Sequence, residues 1–253
     1  MDLIDIEDAG AVRTVTLNRP EKRNALNAEM LELLEAAFTG EPSPDARVVV
    51  VKSTGPVFCA GLDLRERLEQ GARGAESPIE SMLHRIETYP LPVVAIVQGA
   101  AIAGGNELAL HCDIVVASTD ANFGMSLAQI GLAPSWFLAK KLMEVAGPVA
   151  TKEILLLGDP LPAQRMYDLG LIARVCAPAD LAATADAVIE RLAANAPLSL
   201  VAMKALITRE MAFRDDIPHD DIDALVAKTR GSEDSREGVA ARLERRQPEF
   251  KGR

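Results

Sequence analysis

The stretch of sequence that decides the fold is residues 92–113, PVVAIVQGAAIAGGNELALHCD. It opens with β-branched residues, turns, and passes through small residues to the pair Gly104-Gly105, after which residues 106–111 favour a helix. This order predicts a buried strand, a tight passage and a helix N-terminus. Glycines at a helix entrance let a ligand approach the main chain, and the unpaired amides and positive dipole end favour negative charge. The stretch therefore predicts a place for an anion or a developing oxyanion.

One carboxylate, that of Glu107, lies in the first turn of this predicted helix. The helix dipole favours acidic residues there whether or not they do chemistry, so the position alone leaves a structural and a catalytic interpretation open. A second glycine-containing loop, residues 55–64 (GPVFCAGLDL), follows the apolar run at residues 48–51. An oxyanion hole needs donors that converge on one oxygen, and two such loops after two buried strands favour the catalytic interpretation.

At this point the sequence resembles the crotonase superfamily, that of enoyl-CoA hydratase and isomerase. The matching segments follow the family's order along nearly the whole chain: LNRPEKRNALN (17–27), FCAGLDL (58–64), QGAAIAGGNELALHCD (98–113), ANFGMSLAQIGLAP (121–134) and ERRQPEF (244–250). The resemblance implies an α/β fold with a crotonase-like ββα superhelix core and a C-terminal helical trimerisation region. We expect the catalytic core at residues 1–195. The oligomerisation region, which would build a homotrimer or hexamer, is expected at residues 196–253.

The resemblance also implies which residues act on an acyl-CoA thioester. The main-chain amides of Leu62 and Gly104 would hold the thioester oxygen, and Glu107 would move protons. CoA is part of this substrate, so no separate cofactor is expected, and three scattered histidines predict no metal site. The resemblance places CoA-binding positions at Arg23, Ala60, Leu62, Asp63, Leu64 and Arg65, and the acyl pocket at Leu127, Leu132 and Trp136.

The sequence departs from the family's hydratases at Leu127, where those enzymes carry a second glutamate shortly after a Phe-Gly pair. Three functions stay open. The first, which we place ahead of the others, is an enoyl-CoA hydratase that uses Glu107 alone or with water, Ser126 or Gln129. The second is a Δ3-Δ2 enoyl-CoA isomerase, which needs a single base. The third is a protein that binds acyl-CoA and oligomerises without efficient turnover, and other crotonase reactions such as decarboxylation or thioester hydrolysis follow these three.

The composition narrows the classes of partner. A formal net charge of −10 over 253 residues argues against nucleic acid, which needs a basic surface. Attraction for the phosphates of CoA would therefore be local, from Lys22, Arg23 and Arg65. No apolar run approaches the length of a membrane span, and the start MDLID lacks the pattern of a secretion signal. We expect no membrane partner and a cytoplasmic protein.

The three cysteines, Cys59, Cys112 and Cys176, have neither disulfide nor metal-ligand spacing and are expected to be reduced. A cysteine hydrolase that uses Cys59 or Cys112 with a histidine is the alternative outside the family. A small buried apolar side chain is the more common role for such a residue.

Elsewhere the pattern predicts alternating strands and helices up to about residue 175 and helices alone after it. Asn27 is a predicted cap for a helix at 28–39, and Asp180 for one at 180–194. Residues 65–78 are charged and poor in large apolar side chains, which predicts a mobile flap beside the site. The basic tail is expected either to reach a neighbouring subunit's nucleotide or to form a solvated helix face; its members are Arg242, Arg245, Arg246 and Lys251.

Overall fold

The computed structural model describes residues 2–70 and 79–253. Its strands are β1 (Ile4–Ala9), β2 (Val12–Leu17), β3 (Val48–Ser53), β4 (Val93–Val97), β5 (Ala101–Ile102), β6 (Ile114–Ser118), β7 (Asn122–Gly124), β8 (Leu161–Pro162) and β9 (Arg174–Cys176). Its α-helices are α1 (Ala28–Ala37), α2 (Leu64–Gln70), α3 (Glu80–Thr88), α4 (Gly104–His111), α5 (Trp136–Lys152), α6 (Ala163–Asp168), α7 (Leu181–Ala194), α8 (Pro197–Met211), α9 (Asp220–Gly231) and α10 (Glu233–Glu244).

A six-stranded sheet in the order β1-β2-β3-β4-β6-β9 carries the fold, and β5-β7-β8 form a second, small sheet. In the larger sheet β1 and β2 are antiparallel, and every other neighbouring pair is parallel. Both faces of its central strands are covered, since Val49 and Val51 face the main core while Val48 and Val94 pack with α7. This burial on two sides explains why β3 reads as a continuous valine run and not as an alternation.

The sheet topology brings the two glycine-containing loops together. Strands β3 and β4 are parallel neighbours, with Val49 opposite Val93, so their carboxyl ends meet at the same edge of the sheet. The loop after β3 and the loop after β4 both leave from that edge. Their main chains join through an isolated bridge between Cys59 and Ala101.

The predicted α/β fold with a helical C-terminal region is confirmed. Helix α1 begins after Asn27, whose side chain accepts a hydrogen bond from the Met30 amide as a cap should. Asp180 also precedes its helix. Its side chain makes no capping bond, however, because a 3-10 turn at Pro178–Asp180 leads directly into α7.

One predicted segment differs from the structure. The flap expected at residues 65–78 begins as helix α2, which packs against α10; residues 71–78 lie outside the described residues. Helix α5 begins at Trp136, where the Ser135 side chain accepts a hydrogen bond from the Leu138 amide. Gly147 is non-helical (φ 65°, ψ 175°) and divides α5 into two helical segments. Pro148 begins the second segment, where the missing N–H of proline is tolerated.

Within the described parts of the chain, no helix combines the length and the apolar character that a bilayer span requires.

Candidate functional site

Two main-chain amides lie close together at the edge of the sheet. A Cβ added to Gly61 would stand 3.0 Å from the Gly104 nitrogen, and a Cβ added to Gly104 would stand 3.5 Å from the Leu62 nitrogen. Leu26 donates to the Gly61 carbonyl at 2.8 Å and accepts from the Asp63 amide at 2.8 Å. Amides alternate in direction along an extended segment, so the Leu62 amide points away from Leu26 and towards α4.

Neither amide is used by the fold. Among residues 2–70 and 79–253, no hydrogen-bond acceptor is found for the N–H of Leu62 or for that of Gly104. The Gly104 amide belongs to the first turn of α4, where amides have no intrahelical partner. The two predicted donors are therefore adjacent and free to bind one oxygen.

Glycine is required for this close approach. Gly61 has φ +87°, and an added Cβ would stand 2.8 Å from the Ile102 carbonyl oxygen. A Cβ on Gly105 would stand only 2.1 Å from the carbonyl oxygen of Cys59. Ala103, at φ 49°, adopts the left-handed half of the map that non-glycine residues rarely occupy, just before α4 begins.

Glu107 contributes a carboxyl group to this pocket. Its side chain lines the same pocket as Leu62 and Gly104, is 1% exposed, and has no hydrogen-bond partner for either carboxylate oxygen among the described residues. Burial raises the pKa of Glu107 to about 8; the positive charge of Lys141 opposes this effect and the negative charge of Glu80 adds to it. The carboxyl group is thus poised to exchange a proton near neutral pH.

His111 supports α4 one turn after Glu107. Its Nδ1 lies 2.8 Å from the Glu107 carbonyl oxygen, which can only accept, so the proton is on Nδ1. The ring stacks on Phe137 at 5.2 Å. Burial and the charge of Lys141 lower the pKa of His111 to about 4, so the imidazole is neutral at physiological pH.

Much of the pocket wall is apolar. Leu127 and Leu132 line it as predicted, whereas Trp136 does not. Trp136 is the first residue of α5, and its indole stacks on His219 at 4.6 Å on another side of the helix. The pocket wall expected from Trp136 is formed instead by side chains that the sequence did not single out, namely Met125, Ile130 and Leu138.

The chain also matches known proteins. The family model described as enoyl-CoA hydratase/isomerase matches residues 7–253. The chain belongs to the enoyl-CoA hydratase/isomerase family. A putative enoyl-CoA hydratase of Thermus thermophilus is 37% identical over 253 residues, which cover 96% of this chain and 98% of the relative. The prediction that the chain belongs to the crotonase superfamily is confirmed, and so is the prediction that it is an enzyme.

Solved structures share the fold along the whole chain. An enoyl-CoA hydratase from Mycobacterium avium subsp. paratuberculosis has a TM-score of 0.85 at 28% identity, covering 99% of both chains. A methylmalonyl-CoA decarboxylase in complex with 2-nitronate-propionyl-CoA has a TM-score of 0.92 at 23% identity, covering 100% of this chain and 99% of that one. The fold of the enoyl-CoA hydratase/isomerase family therefore accommodates more than one reaction.

The residues expected to bind CoA divide into three groups. Ala60 and Leu64 line the pocket together with Leu62, while Arg23 and Arg65 are exposed near it. The Asp63 carboxylate is engaged within the fold, since one oxygen pairs with Arg19 at 2.9 Å and the other accepts from the Arg65 amide at 3.1 Å. In this family member Asp63 therefore fixes the loop.

Of the two polar residues expected to assist Glu107, Ser126 and Gln129, one lines the pocket and the other does not. Ser126 lines the pocket. Gln129 does not, because its amide nitrogen donates to the Leu157 carbonyl at 3.1 Å and to Asp159 at 3.0 Å. Leu127 presents an apolar side chain to the pocket, so among the lining residues Glu107 is the carboxylate.

The alternative of a cysteine hydrolase needs a reactive thiolate, and the structure does not favour one at Cys59 or Cys112. Cys59 and Cys112 are both buried, and burial raises the pKa of the Cys59 thiol to about 12 and that of Cys112 further. A thiol that stays protonated is a poor nucleophile. Both cysteines are core residues.

Sequence reasoning missed three arginines of the pocket: Arg67 on α2, Arg230 on α9, and the pocket-lining position of Arg242 on α10. The available signal was the helical spacing of Leu64 and Arg67, three residues apart on one face. Because residues 65–78 were interpreted as a mobile flap, this spacing was not assigned to the face of a helix.

Proposed function

We propose that this chain catalyses the reversible addition of water to a 2-enoyl-CoA, with Glu107 as the acid–base group and the amides of Leu62 and Gly104 as the oxyanion hole. One observation carries the proposal. A buried carboxyl group without a hydrogen-bond partner among the described residues faces the same pocket as two adjacent amides for which those residues supply no acceptor. The names of the similar proteins, putative and other enoyl-CoA hydratases, support the same reaction.

The reaction would begin with the thioester oxygen accepting hydrogen bonds from both amides. Ionised Glu107 takes a proton from water as the water oxygen bonds to C3, and the electron pair of the C2=C3 bond moves through C2 to the thioester oxygen. The amides stabilise that enolate charge, and each such donor typically contributes a factor of roughly 10²–10³. Glu107 then returns its proton to C2, which restores the carbonyl and the carboxylate, so that one water has been added.

A second function is favoured by a separate observation. Leu127 stands where the family's hydratases carry a second glutamate, and the wall around Glu107 is apolar. A single base suffices to remove a proton from C2 of a 3-enoyl-CoA and return it to C4. This is isomerase chemistry, and it needs no bound water.

Two thioesters distinguish these functions. Crotonyl-CoA should lose its conjugated-enoyl absorbance under the hydratase proposal, whereas a 3-enoyl-CoA should gain that absorbance under the isomerase proposal. Loss of signal with crotonyl-CoA decides for hydration. If neither substrate reacts while both bind in calorimetry, the protein is a non-catalytic acyl-CoA binder and the proposal is wrong.

Glu107→Gln tests the acid–base assignment. We expect kcat to fall by about 10²–10⁴, because the amide can no longer exchange the proton. Because the ionised form takes the proton from water, wild-type hydration should accelerate as pH rises towards about 8 and then level off. The exposed residue Glu190 supplies the control, Glu190→Gln, which should keep the wild-type rate and pH profile. An active Glu107→Gln enzyme would contradict the role given to Glu107.

A further inference from the structure

Three arginines from three different helices line the pocket that holds Glu107. Arg67 comes from α2, Arg230 from α9 and Arg242 from α10. Helix α10 packs against α2 and against the 3-10 turn Ala128–Ile130, so the C-terminal helices form part of the pocket wall. The part of the pocket wall that these helices form is therefore cationic.

Arg67 is the half-buried member of this group. In the part of the chain that the structure describes, no carboxylate lies within ion-pair distance of its guanidinium. Asp63, one turn earlier on the same side, is paired with Arg19 instead. Burial lowers the pKa of Arg67, and the positive charge of Arg230 lowers it further.

The other two arginines have neighbours. The charges of Glu80 and Asp223 act favourably on Arg230, which is 9% exposed. Arg242 donates to the Gln129 side-chain oxygen at 3.4 Å. A half-buried, like-charged arginine without such neighbours is costly, unless an anion from outside the chain completes the site.

The cationic wall and the reacting centre come from different elements. Glu107 and Gly104 lie on α4, whereas the three arginines lie on α2, α9 and α10. The same pocket is lined by apolar side chains, including Leu127, Ile130 and Leu132. An anion that meets Arg67 while the thioester occupies the amides would therefore be joined to it by an apolar spacer.

We propose that Arg67, assisted by Arg230 and Arg242, binds a carboxylate at the end of the acyl chain, so that the preferred substrates are CoA thioesters of dicarboxylic acids. The proposal rests on the proposed function only for the position of the thioester. A guanidinium binds a carboxylate through two parallel hydrogen bonds, and this geometry favours arginine over lysine at such a site.

The phosphates of CoA could offer negative charge to the same arginines. The two sources share the chemistry of an anion held by a guanidinium, and they differ in where the anion is attached. A terminal carboxylate depends on the acyl group, while the phosphates are common to every CoA thioester. Pairs of thioesters that differ only at the acyl end therefore separate them.

The test measures binding, so that it does not depend on turnover. Calorimetry compares glutaryl-, adipyl- and suberyl-CoA with pentanoyl-, hexanoyl- and octanoyl-CoA, which match them in chain length. We expect at least one carboxylated member to bind about 10-fold or more tightly than its neutral match. Arg67→Met should abolish that preference and leave the neutral member's affinity unchanged, and Arg67→Lys should restore it in part. Arg191→Met, at an exposed arginine of α7, is the matched control and should keep the preference.

Three results would overturn the proposal. The first is wild-type protein that binds carboxylated and neutral members of every pair equally. The second is an Arg67→Met variant that weakens both members equally, which would assign Arg67 to the phosphates of CoA. The third is a preference that survives in folded Arg67→Met protein, with folding checked by circular dichroism. A failure of the hydratase proposal gives a different pattern, namely selective binding without loss of the enoyl absorbance.

Discussion

At the scale of the residue, Glu107 reduces the stability of the fold it serves. Its pKa lies at about 8 in the folded protein against 4.5 for an unperturbed glutamate, because burial penalises the charged form. Between these values the unfolded chain releases a proton that the folded chain retains, so the free energy of unfolding falls as pH rises from about 4.5 to about 8. Each unit of pKa difference corresponds to about 1.4 kcal/mol, so the cost reaches a few kcal/mol.

Glu107→Gln should therefore be more stable than wild type at pH 8 by a few kcal/mol and nearly equal to it at about pH 4.5. Urea denaturation of both proteins at the two pH values, at one protein concentration, measures the difference. Glu190→Gln, at an exposed position, should show no such pH-dependent gain. A Glu107→Gln variant that is less stable than wild type at pH 8 would show that the carboxylate is satisfied in the folded state.

At the scale of the element, the oxyanion hole depends on how closely the loop after β3 approaches the start of α4. Gly61→Ala would place a Cβ 2.8 Å from the Ile102 carbonyl oxygen and 3.0 Å from the Gly104 nitrogen, so one of the two segments must move. We expect kcat to fall by roughly 10²–10³, the usual effect of losing one oxyanion donor.

Gly40→Ala is the matched control for this variant. Gly40 has φ +89° against +87° at Gly61, but nothing lies within 4 Å of its added Cβ. Both variants bear the cost of a left-handed alanine, roughly 1–2 kcal/mol, and only Gly61→Ala should lose turnover. Steady-state kinetics together with thermal unfolding separates the two effects. Equal kcat values in both variants would show that the Leu62 amide has no role in the reaction.

The elements differ in how far their sequence determines them. The valine run of β3 and the path from β4 to Gly104 follow from local pattern, and the parallel pairing of β3 with β4 then places the two loops together. No such local pattern predicts helix α2. Its position depends on packing against α10, which is far away in the sequence. The family resemblance predicts Trp136 in the acyl pocket. In the structure the Ser135 cap starts α5 at that residue, and the indole stacks on His219 instead.

The same distinction applies to the site. Main-chain donors at Leu62 and Gly104 could be placed from glycine positions, since backbone geometry alone requires those glycines. The charge of Arg67 could not be assigned in the same way, because pairing depends on which residues of α9 and α10 come near it. Long-range packing, and not local propensity, decides which charges are matched.

At the scale of the whole molecule, helix α8 leaves an apolar surface uncovered. Of its side chains only Lys204 is buried, where it donates to the Ile86 and Leu91 carbonyls and pairs with Asp113 at 2.7 Å. Large apolar residues of the same helix are exposed, Leu198 at 85% and Leu206 at 62% among them. Contiguous apolar patches of this kind mark association surfaces. We propose that the chain self-associates through α8 as a homotrimer or hexamer.

Leu206→Glu tests this assembly. Sedimentation velocity should show wild-type protein as a species several times larger than one chain, and the variant should shift towards the single chain, because a carboxylate in an apolar interface is costly to desolvate. Ile6→Glu, which places the same charge on an exposed apolar position of the edge strand β1, should leave the assembly intact. If wild-type protein sediments as a single chain, α8 must be covered by something other than a copy of itself. If the assembly tolerates Leu206→Glu, the interface does not lie on α8 and must be sought at other exposed apolar positions, such as Leu156 and Leu225.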